Sequence, residues 1–251
     1  VSFQQAMFEL GGTCIPMVSE QVGLGKRESP ADVARVLSGM VQGIMARVFE
    51  HHKLVELAAH STIPVINALS DFSHPCQALA AAMTMMDEFG RDLKGRTLAF
   101  VGDGNNVAHS LAVMCGRLGM NFILASPPGY EITQEVADTI MGYCPDLNME
   151  LMQDPIDAVR YADAVYADTW ISMGQETEAA IRKSAFEGFQ INDKLLSKAP
   201  EHCIVLHCLP AYRGIEITDS VMDGPRSRVF PQAHNRLHAQ KGLLAVLMGG
   251  K

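Results

Sequence analysis

The stretch HCLPAYRG, residues 207–214, places a histidine and a cysteine at the end of an apolar run. Histidine and cysteine are common metal ligands, and cysteine is also a nucleophile. Neighbouring side chains on a strand point to opposite faces, however, so His207 and Cys208 cannot bind the same ion. A nucleophilic Cys208 would need an activating base that the sequence does not locate. A buried structural thiol is the third interpretation of this strand end.

Three other residues could bind an anion or polarise a carbonyl group. His74 stands at the start of a predicted helix, and Gln77 lies one turn into it. Both could donate hydrogen bonds to one carbonyl oxygen, aided by the helix dipole, although His74 could instead simply cap its helix. Arg47 lies in the apolar stretch Ile44–Phe49, which predicts a buried strand. A buried arginine requires an anion or a carboxylate as its partner.

A glycine-rich turn, GDGNN at residues 102–106, follows a predicted strand and opens a predicted helix. Such turns cradle the phosphates of dinucleotides when a third glycine and a later acidic residue are present. Here Val107 follows the turn, and Ala125-Ser126-Pro127 ends the next strand, so nicotinamide binding is disfavoured. An asparagine of this turn could instead bind a carboxylate or an amide of a substrate, and a plain turn is the alternative.

A carboxylate stands at the end of another predicted strand. Asp168 follows the apolar residues Ala164–Tyr166, and a loop over residues 169–174 comes after it. A carboxylate in this position suits a ligand that carries an amino group. Alone, the same residue could equally be a helix cap.

Strands and helices alternate along the chain, which predicts an α/β fold with parallel sheets. The predicted strands are Ile44–Phe49, Ile63–Ala68, Leu98–Val101, Phe122–Ala125, Ala164–Tyr166 and Ile204–Leu206. The predicted helices are Phe3–Leu10, Pro30 to about Gly43, Lys53–His60, Pro75–Met86, Asn106–Leu118, Gln134–Tyr143 and Ala233–Met248. Two such α/β units are expected, joined near residues 87–96. Ligands bind beyond the carboxyl ends of parallel strands, and the polar clusters described above occupy that position.

Composition excludes some classes of function. The net charge of −8, without an offsetting basic block, argues against nucleic acid as a partner. No apolar run is long enough to predict a membrane-spanning helix. The six cysteines show no metal-ligand spacing and predict reduced thiols in a reducing compartment, the cytoplasm or alternatively an organellar matrix. Since the chain starts at Val1, we expect an upstream segment to be missing.

Six stretches in order resemble the transcarbamylase family, and within it the ornithine carbamoyltransferases. They are MARVFEHHKL, SDFSHPCQALA, FVGDGNNVAHS, DTWISMGQE, LHCLPAYRG and VFPQAHNRLHAQK. Aspartate-specific members carry His-Pro-Leu-Pro in place of residues 207–210, and they lack a Ser-Met-Gly loop like that at residues 172–174. The resemblance therefore favours an ornithine-like acceptor, with putrescine or acetylornithine as the remaining alternatives.

The resemblance implies two α/β domains and a defined reaction. The expected domains are 1–90 for carbamoyl phosphate, 91–230 for ornithine, and 231–251 as a C-terminal helix that returns to the first domain. The implied reaction transfers the carbamoyl group of carbamoyl phosphate to the side-chain amine of L-ornithine and gives L-citrulline and phosphate. It belongs to arginine biosynthesis or the urea cycle. The implied enzyme is a homotrimer without a metal or an organic cofactor.

The resemblance also implies roles for individual residues. Those matching carbamoyl phosphate ligands are Arg47 for the phosphate, His74 and Gln77 for the carbonyl, and Arg236 from the closing helix. Those matching ornithine ligands are Asn106, Asp168, Ser172 and Met173. Cys208 and Leu209 match the catalytic strand end, where they also count among the carbamoyl phosphate ligands, with Cys208 near the reacting nitrogen. Arg47, His74, Asp168 and Cys208 are thus the implied catalytic residues.

Four features depart from the family pattern. A phosphate-binding Ser-Thr-Arg-Thr-Arg stretch would lie just before Val1; Gly23 replaces a glutamine, Ala81 an aspartate and His234 a glutamate. A charge-assisted hydrogen bond contributes about 1.5–3 kcal/mol, so losing about three of them would cost on the order of 4.5 kcal/mol. We therefore expect residues 1–251 alone to bind carbamoyl phosphate weakly. A catalytically impaired paralogue that serves as a binding or assembly subunit is the competing interpretation.

Overall fold

The computed structural model describes residues 1–18, 22–171 and 175–249. Its strands are β1 (Ile44–Arg47), β2 (Val65–Leu69), β3 (Thr97–Val101), β4 (Asn121–Ala125), β5 (Met149–Met152), β6 (Ala164–Ala167) and β7 (Ile204–His207). Its longer helices are α1 (Ser2–Glu9), α2 (Pro30–Ser38), α3 (His51–His60), α4 (Pro75–Phe89), α5 (Asn106–Leu118) and α6 (Gln134–Tyr143). The remaining helices are α7 (Pro155–Val159), α8 (Ala179–Ala185), α9 (Asp193–Leu196), α10 (Asp219–Met222) and α11 (Val229–Met248), with a 3₁₀ turn at Glu176–Glu178. All strand pairs within the two sheets are parallel, which confirms the predicted fold class.

The chain divides into two compact units. Unit 1 comprises Val1–Leu79 and Arg236–Lys251, and unit 2 comprises Ala80–Asn235. The division falls within α4 and within α11, whereas the sequence places it in the polar stretch 87–96. Most of α11 groups with unit 1. The domain limits 1–90, 91–230 and 231–251 stay a prediction.

Unit 1 contains a two-stranded parallel sheet, with Ile44 opposite Val65. Its main core joins Phe3 and Ala6 of α1, Ile66 and Ala68 of β2, Cys76 of α4 and Leu244 of α11. The expectation that β1 is a fully buried strand is wrong, because exposure alternates along it. Only every second side chain of a strand faces the core, and the others face the opposite side.

Unit 2 contains a five-stranded parallel sheet in the order β5-β4-β3-β6-β7. The chain starts at β3 in the middle of the sheet, builds β4 and β5 on one side, and then returns to build β6 and β7 on the other. Strands β3 and β6 are buried throughout, and the rings of Phe100 and Tyr166 stack at 5.7 Å between centroids. A crevice for ligands forms where the strand order reverses, beyond the carboxyl ends of β3 and β6.

The turn between β3 and α5 is tightly fixed. Asn105 is the N-cap of α5, and its Oδ1 accepts hydrogen bonds from the backbone N–H groups of Val107 and Ala108. Gly104 donates its N–H to the carbonyl of Tyr130, and a Cβ at Gly104 would lie 2.5 Å from the backbone nitrogen of Ile132. Only glycine fits this close approach of two backbone segments.

Sequence patterns missed several short elements. Strand β5 escaped because Glu150 interrupts a short edge strand whose side chains are only partly buried. Helices α7 to α10 have between four and seven residues, which is too short for a helical period to show. Among the described residues, every helix is either too short or too polar to cross a bilayer.

Candidate active site

His74 and Gln77 lie at the amino end of α4 in unit 1, and both are buried. The backbone carbonyl of His74 accepts the N–H groups of Gln77 and Ala78, so this residue begins the helix. Burial lowers the pKa of the His74 imidazole to about 3, and the positive charges of Arg236 and Arg47 lower it further in the same direction. The ring is therefore neutral near pH 7 and carries one N–H that can donate a hydrogen bond.

Arg236 of α11 is held in place by two glutamines. Its Nη1 donates to Gln77 Oε1 at 2.7 Å. With the Gln240 amide oriented to satisfy both of its ends, Gln240 Oε1 accepts from Arg236 Nε at 3.0 Å and from Nη2 at 3.2 Å. Because Gln77 Oε1 accepts from Arg236, the orientation of the Gln77 amide is fixed. Its amide nitrogen is the group that can donate a hydrogen bond to a ligand.

Arg47 ends strand β1, and its charge is felt by His74. The prediction that Arg47 is buried is wrong, since the side chain is exposed in the chain. An exposed arginine carries no burial cost that an anion would have to offset. What the structure does place in unit 1 is a neutral histidine within the field of two arginines.

In unit 2, one buried carboxylate collects donors from two other segments. Asp168 follows β6, and its Oδ2 accepts from Asn105 Nδ2 at 2.7 Å. Its Oδ1 accepts from the Cys208 thiol at 2.6 Å and from the N–H of Thr169 at 2.7 Å. Asn106, which the sequence singled out, is the first residue of α5 and half-buried, and its role as a ligand stays a prediction. The missed residue, Asn105, both caps the helix and binds the carboxylate.

Cys208 is a neutral thiol rather than a nucleophile. Burial, the negative charge of Asp168 and the hydrogen bond to it all raise the pKa of Cys208 well above 9.0. The nearest ring nitrogen, His207 Nδ1, lies 4.0 Å from the sulfur and accepts the N–H of Leu209 at 2.9 Å. Because that nitrogen is occupied as an acceptor, it is not available to take the thiol proton.

His207 points away from Cys208 into a buried polar cluster. Its Nε2–H donates to Glu216 Oε1 at 3.1 Å, and the same oxygen accepts the N–H of Tyr212 at 2.6 Å. Gln232 Oε1 accepts the backbone N–H of His207, and Gln232 Nε2 donates to the Tyr166 hydroxyl at 2.8 Å. This network fixes the end of β7 from which Cys208 projects. The one available sequence signal was an acidic residue, Glu216, between two isoleucines.

The other predicted residues fall into three groups. Ser172 and Met173 lie outside the described residues. Leu209 is partly buried beside the Cys208 strand end, in a left-handed conformation with φ of 57° and a cis bond to Pro210. Three of the positions that depart from the family pattern lie in the described residues. Gly23 has φ of +60°, and a Cβ there would lie 2.7 Å from Arg27 Cβ. Ala81 is buried in α4, and His234 is exposed. In the described part of the chain, no three His, Cys, Asp or Glu side chains form a metal-binding group.

Both halves of the chain match one family. Residues 1–87 match the family described as "Aspartate/ornithine carbamoyltransferase, carbamoyl-P binding domain", and residues 94–247 match its "Asp/Orn binding domain". The chain is 48% identical to the ornithine carbamoyltransferase of Thermococcus kodakarensis over all of this chain and 80% of that protein. It is also 48% identical to the anabolic ornithine carbamoyltransferase of Pyrococcus furiosus, with the same coverage of each. The solved structure of a Pyrococcus furiosus ornithine carbamoyltransferase has a TM-score of 0.94 over the whole chain and 80% of that chain.

The neutral state of His74 predicts an acid-sensitive unit 1. The folded pKa is about 3 against 6.5 when exposed, so the unfolded chain binds an extra proton between these values. Stability is therefore fully present above pH 6.5 and falls by about 1.4 kcal/mol per unit between about pH 6 and pH 4. His74→Gln should remove this slope, whereas His60→Gln, at an exposed helix end, should keep it. Urea unfolding at several pH values gives the free energy of unfolding of the unmodified chain and of both variants. If this free energy changed with pH equally in His74→Gln and in the unmodified chain, His74 would not be the group responsible.

The raised pKa of Cys208 predicts a slow thiol. At pH 8, iodoacetamide should alkylate the exposed Cys14 at least about tenfold faster than Cys208, because each unit of pKa reduces the thiolate tenfold. Asp168→Asn removes one negative charge beside the sulfur and should accelerate the reaction of Cys208 but not that of Cys14. Peptide mass spectrometry over time gives both rates. Equal rates for the two cysteines in the unmodified chain would contradict a raised pKa for the Cys208 thiol.

Proposed function

The chain belongs to the aspartate/ornithine carbamoyltransferase family, and from this premise we propose that it transfers a carbamoyl group from carbamoyl phosphate to the side-chain amine of L-ornithine. The products are L-citrulline and phosphate, a step of arginine biosynthesis. The observation that carries the proposal is the meeting of Asn105 and Cys208 at the Asp168 carboxylate, within the half of the chain that matches the Asp/Orn binding domain. Neither the non-catalytic paralogue nor the nucleotide-dependent oxidoreductase is favoured by the relatives.

Unit 1 supplies groups suited to carbamoyl phosphate. Arg47 and Arg236 carry positive charge toward the phosphate, which is the leaving group. The neutral His74 donates its single ring N–H to the carbamoyl oxygen, and the Gln77 amide nitrogen donates a second hydrogen bond. Fixed donors at an oxygen that gains negative charge stabilise the transition state. A neutral histidine also avoids a third cation beside the two arginines.

Unit 2 supplies groups suited to an amine. Asp168 accepts hydrogen bonds from Asn105, Cys208 and Thr169. Because a carboxylate only accepts hydrogen bonds, a further partner of Asp168 must be a donor, such as an amino group. The neutral Cys208 sulfur lies at the same carboxylate and marks the side of the reacting nitrogen. Leu209 continues this strand end. Asn106, Ser172 and Met173 bind the carboxylate and the α-amino group of ornithine, a role supported by the family resemblance.

The transfer requires no covalent enzyme intermediate. The lone pair of the neutral side-chain amine forms a C–N bond to the carbamoyl carbon, and the C–O bond to phosphate breaks. The phosphate departs with the bonding electron pair, and the nitrogen passes one proton to a phosphate oxygen. Binding and orienting both substrates lowers the barrier, and polarising the carbamoyl oxygen stabilises the negative charge that develops on it. The thiol state of Cys208 agrees with this route.

Assembly and location are supported by surface and thiol chemistry. Unit 1 exposes several large apolar side chains close together in sequence: Val36, Met40, Met45, Phe49 and Val55. Exposed apolar groups of this kind mark protein interfaces, and the family resemblance makes the partners two further copies of the chain, in a homotrimer.

All six cysteines are unpaired, which suits a reducing compartment such as the cytoplasm. Weak binding of carbamoyl phosphate, expected from the four departures, stays a prediction.

The acceptor is tested by comparing four amines. Release of phosphate from carbamoyl phosphate should be fastest with L-ornithine. It should be slower by at least about tenfold with putrescine, N-acetylornithine or L-aspartate, because each differs from ornithine in a group that the ornithine ligands contact. Asp168→Asn should raise the ornithine KM or lower kcat and leave the carbamoyl phosphate KM within about twofold. Preference for any of the other three amines would refute the acceptor, and a selective loss of carbamoyl phosphate binding would show that the two sets of ligands are interchanged.

The homotrimer is tested by sedimentation. We expect a species of about three chain masses, and Phe49→Glu combined with Met45→Lys should shift it toward the monomer, because charges are costly in an apolar interface. Val246→Glu, at an exposed apolar position of α11, is the matched control. A monomer at every concentration in the unmodified chain would contradict the assembly.

A further inference from the structure

Arg182 is a buried cation in unit 2 that none of the roles above uses. It lies on the short helix α8, and its side chain is only 8% exposed. Its Nη1 donates to Asp103 Oδ2 at 2.8 Å and to the carbonyl of Trp170 at 3.1 Å, while its Nε donates to Glu178 Oε2 at 3.1 Å. Its guanidinium also lies 5.0 Å from the centroid of the Tyr130 ring. A charge withdrawn from water in this way needs such compensation, so its place in the fold is specific.

These contacts join the two segments that carry the amine-side groups. Asp103 belongs to the turn between β3 and α5, two residues before Asn105, which donates to Asp168. Trp170 comes two residues after Asp168 on the other segment. One guanidinium therefore ties the Asn105 segment to the Asp168 segment. The aromatic ring beneath it belongs to Tyr130, whose carbonyl accepts the N–H of Gly104 in the same turn.

Charge balance points the same way. Burial raises the pKa of Asp103, Arg182 opposes this rise through a hydrogen bond and its charge, and the nearby negative charge of Asp168 adds to it. Asp103 and Glu178 thus pair with one guanidinium, and a third carboxylate, Asp168, lies near enough to Asp103 to raise its pKa. Without that cation, two buried carboxylates would repel each other across the turn.

We propose that Arg182 is a positioning residue for the amine acceptor: it locks the Asn105 turn against the Asp168–Trp170 segment and so sets the orientation of the Asp168 carboxylate. The inference rests on the proposed function for the identity of the amine, L-ornithine. It makes no use of Arg182 as a ligand, since Arg182 acts only through Asp103 and the Trp170 backbone. Its effect should therefore fall on the acceptor and spare the donor.

The kinetic test compares four variants of the full chain. Arg182→Met should raise the ornithine KM at least about tenfold and change the carbamoyl phosphate KM by less than about twofold. The ornithine KM of Arg182→Lys should lie between those of Arg182→Met and the unmodified chain, because lysine keeps the charge but cannot reproduce the fork of donors. Arg213→Met is the matched control: it removes an exposed arginine of the same unit that also bridges two aspartates, and it should change neither KM. The double variant Asp103→Asn with Arg182→Met should raise the ornithine KM no further than Arg182→Met alone.

A second readout does not depend on turnover. If Arg182 orients Asp168, the alkylation rate of Cys208 by iodoacetamide should change in Arg182→Met by at least about threefold and stay constant in Arg213→Met. Equal increases in both KM values, or a lower melting temperature with unchanged ornithine KM and unchanged Cys208 reactivity, would overturn the proposal. Should the Met variant fail to fold, the Lys variant decides by the same criteria. An unmodified chain that forms no citrulline at any concentration of carbamoyl phosphate would instead refute the proposed function, and the Cys208 rates would still decide the role of Arg182.

Discussion

A buried carboxylate at the end of β6 is the constraint on which unit 2 depends. Removing Asp168 from water is costly, and the cost is offset only if donors surround it. The structure supplies these donors from separate parts of the chain: the side chain of Asn105 after β3, the N–H of Thr169 beside Asp168, and the thiol of Cys208 after β7. They meet only because β3, β6 and β7 are neighbours in that order and run parallel.

The requirement for that meeting explains the rigidity around it. The turn after β3 has glycine where another backbone passes within van der Waals contact, and asparagine where one side chain must serve the helix and the carboxylate together. The end of β7 is fixed from behind by the His207–Glu216 pair and by Gln232. Arg182 closes the arrangement from the side of α8. Each of these contacts fixes the backbone that carries a member of the Asp168 cluster.

The two units carry opposite local charge, and each charge sets the protonation of an uncharged partner. In unit 1, burial and two arginines keep His74 neutral, which suits a site for an anionic donor. In unit 2, burial and Asp168 keep Cys208 a thiol, which suits a site for an amine. The same physical effect, a change of pKa by desolvation and neighbouring charge, therefore yields a hydrogen-bond donor in both places.

The sequence by itself determined the α/β class, the limits of α5 and α6, and the strand ends at which polar residues gather, because periodicity and capping residues are local properties. The six ordered motifs added the family. Tertiary structure alone decided that Arg47 is exposed, that Asn105 reaches Asp168, and that Cys208 donates its thiol proton to the same carboxylate. It alone revealed β5, the His207–Glu216 pair and the reach of Arg182 across 79 residues to Asp103. These contacts join residues far apart in the chain, and burial and charge at such a contact depend on neighbours that no local pattern specifies.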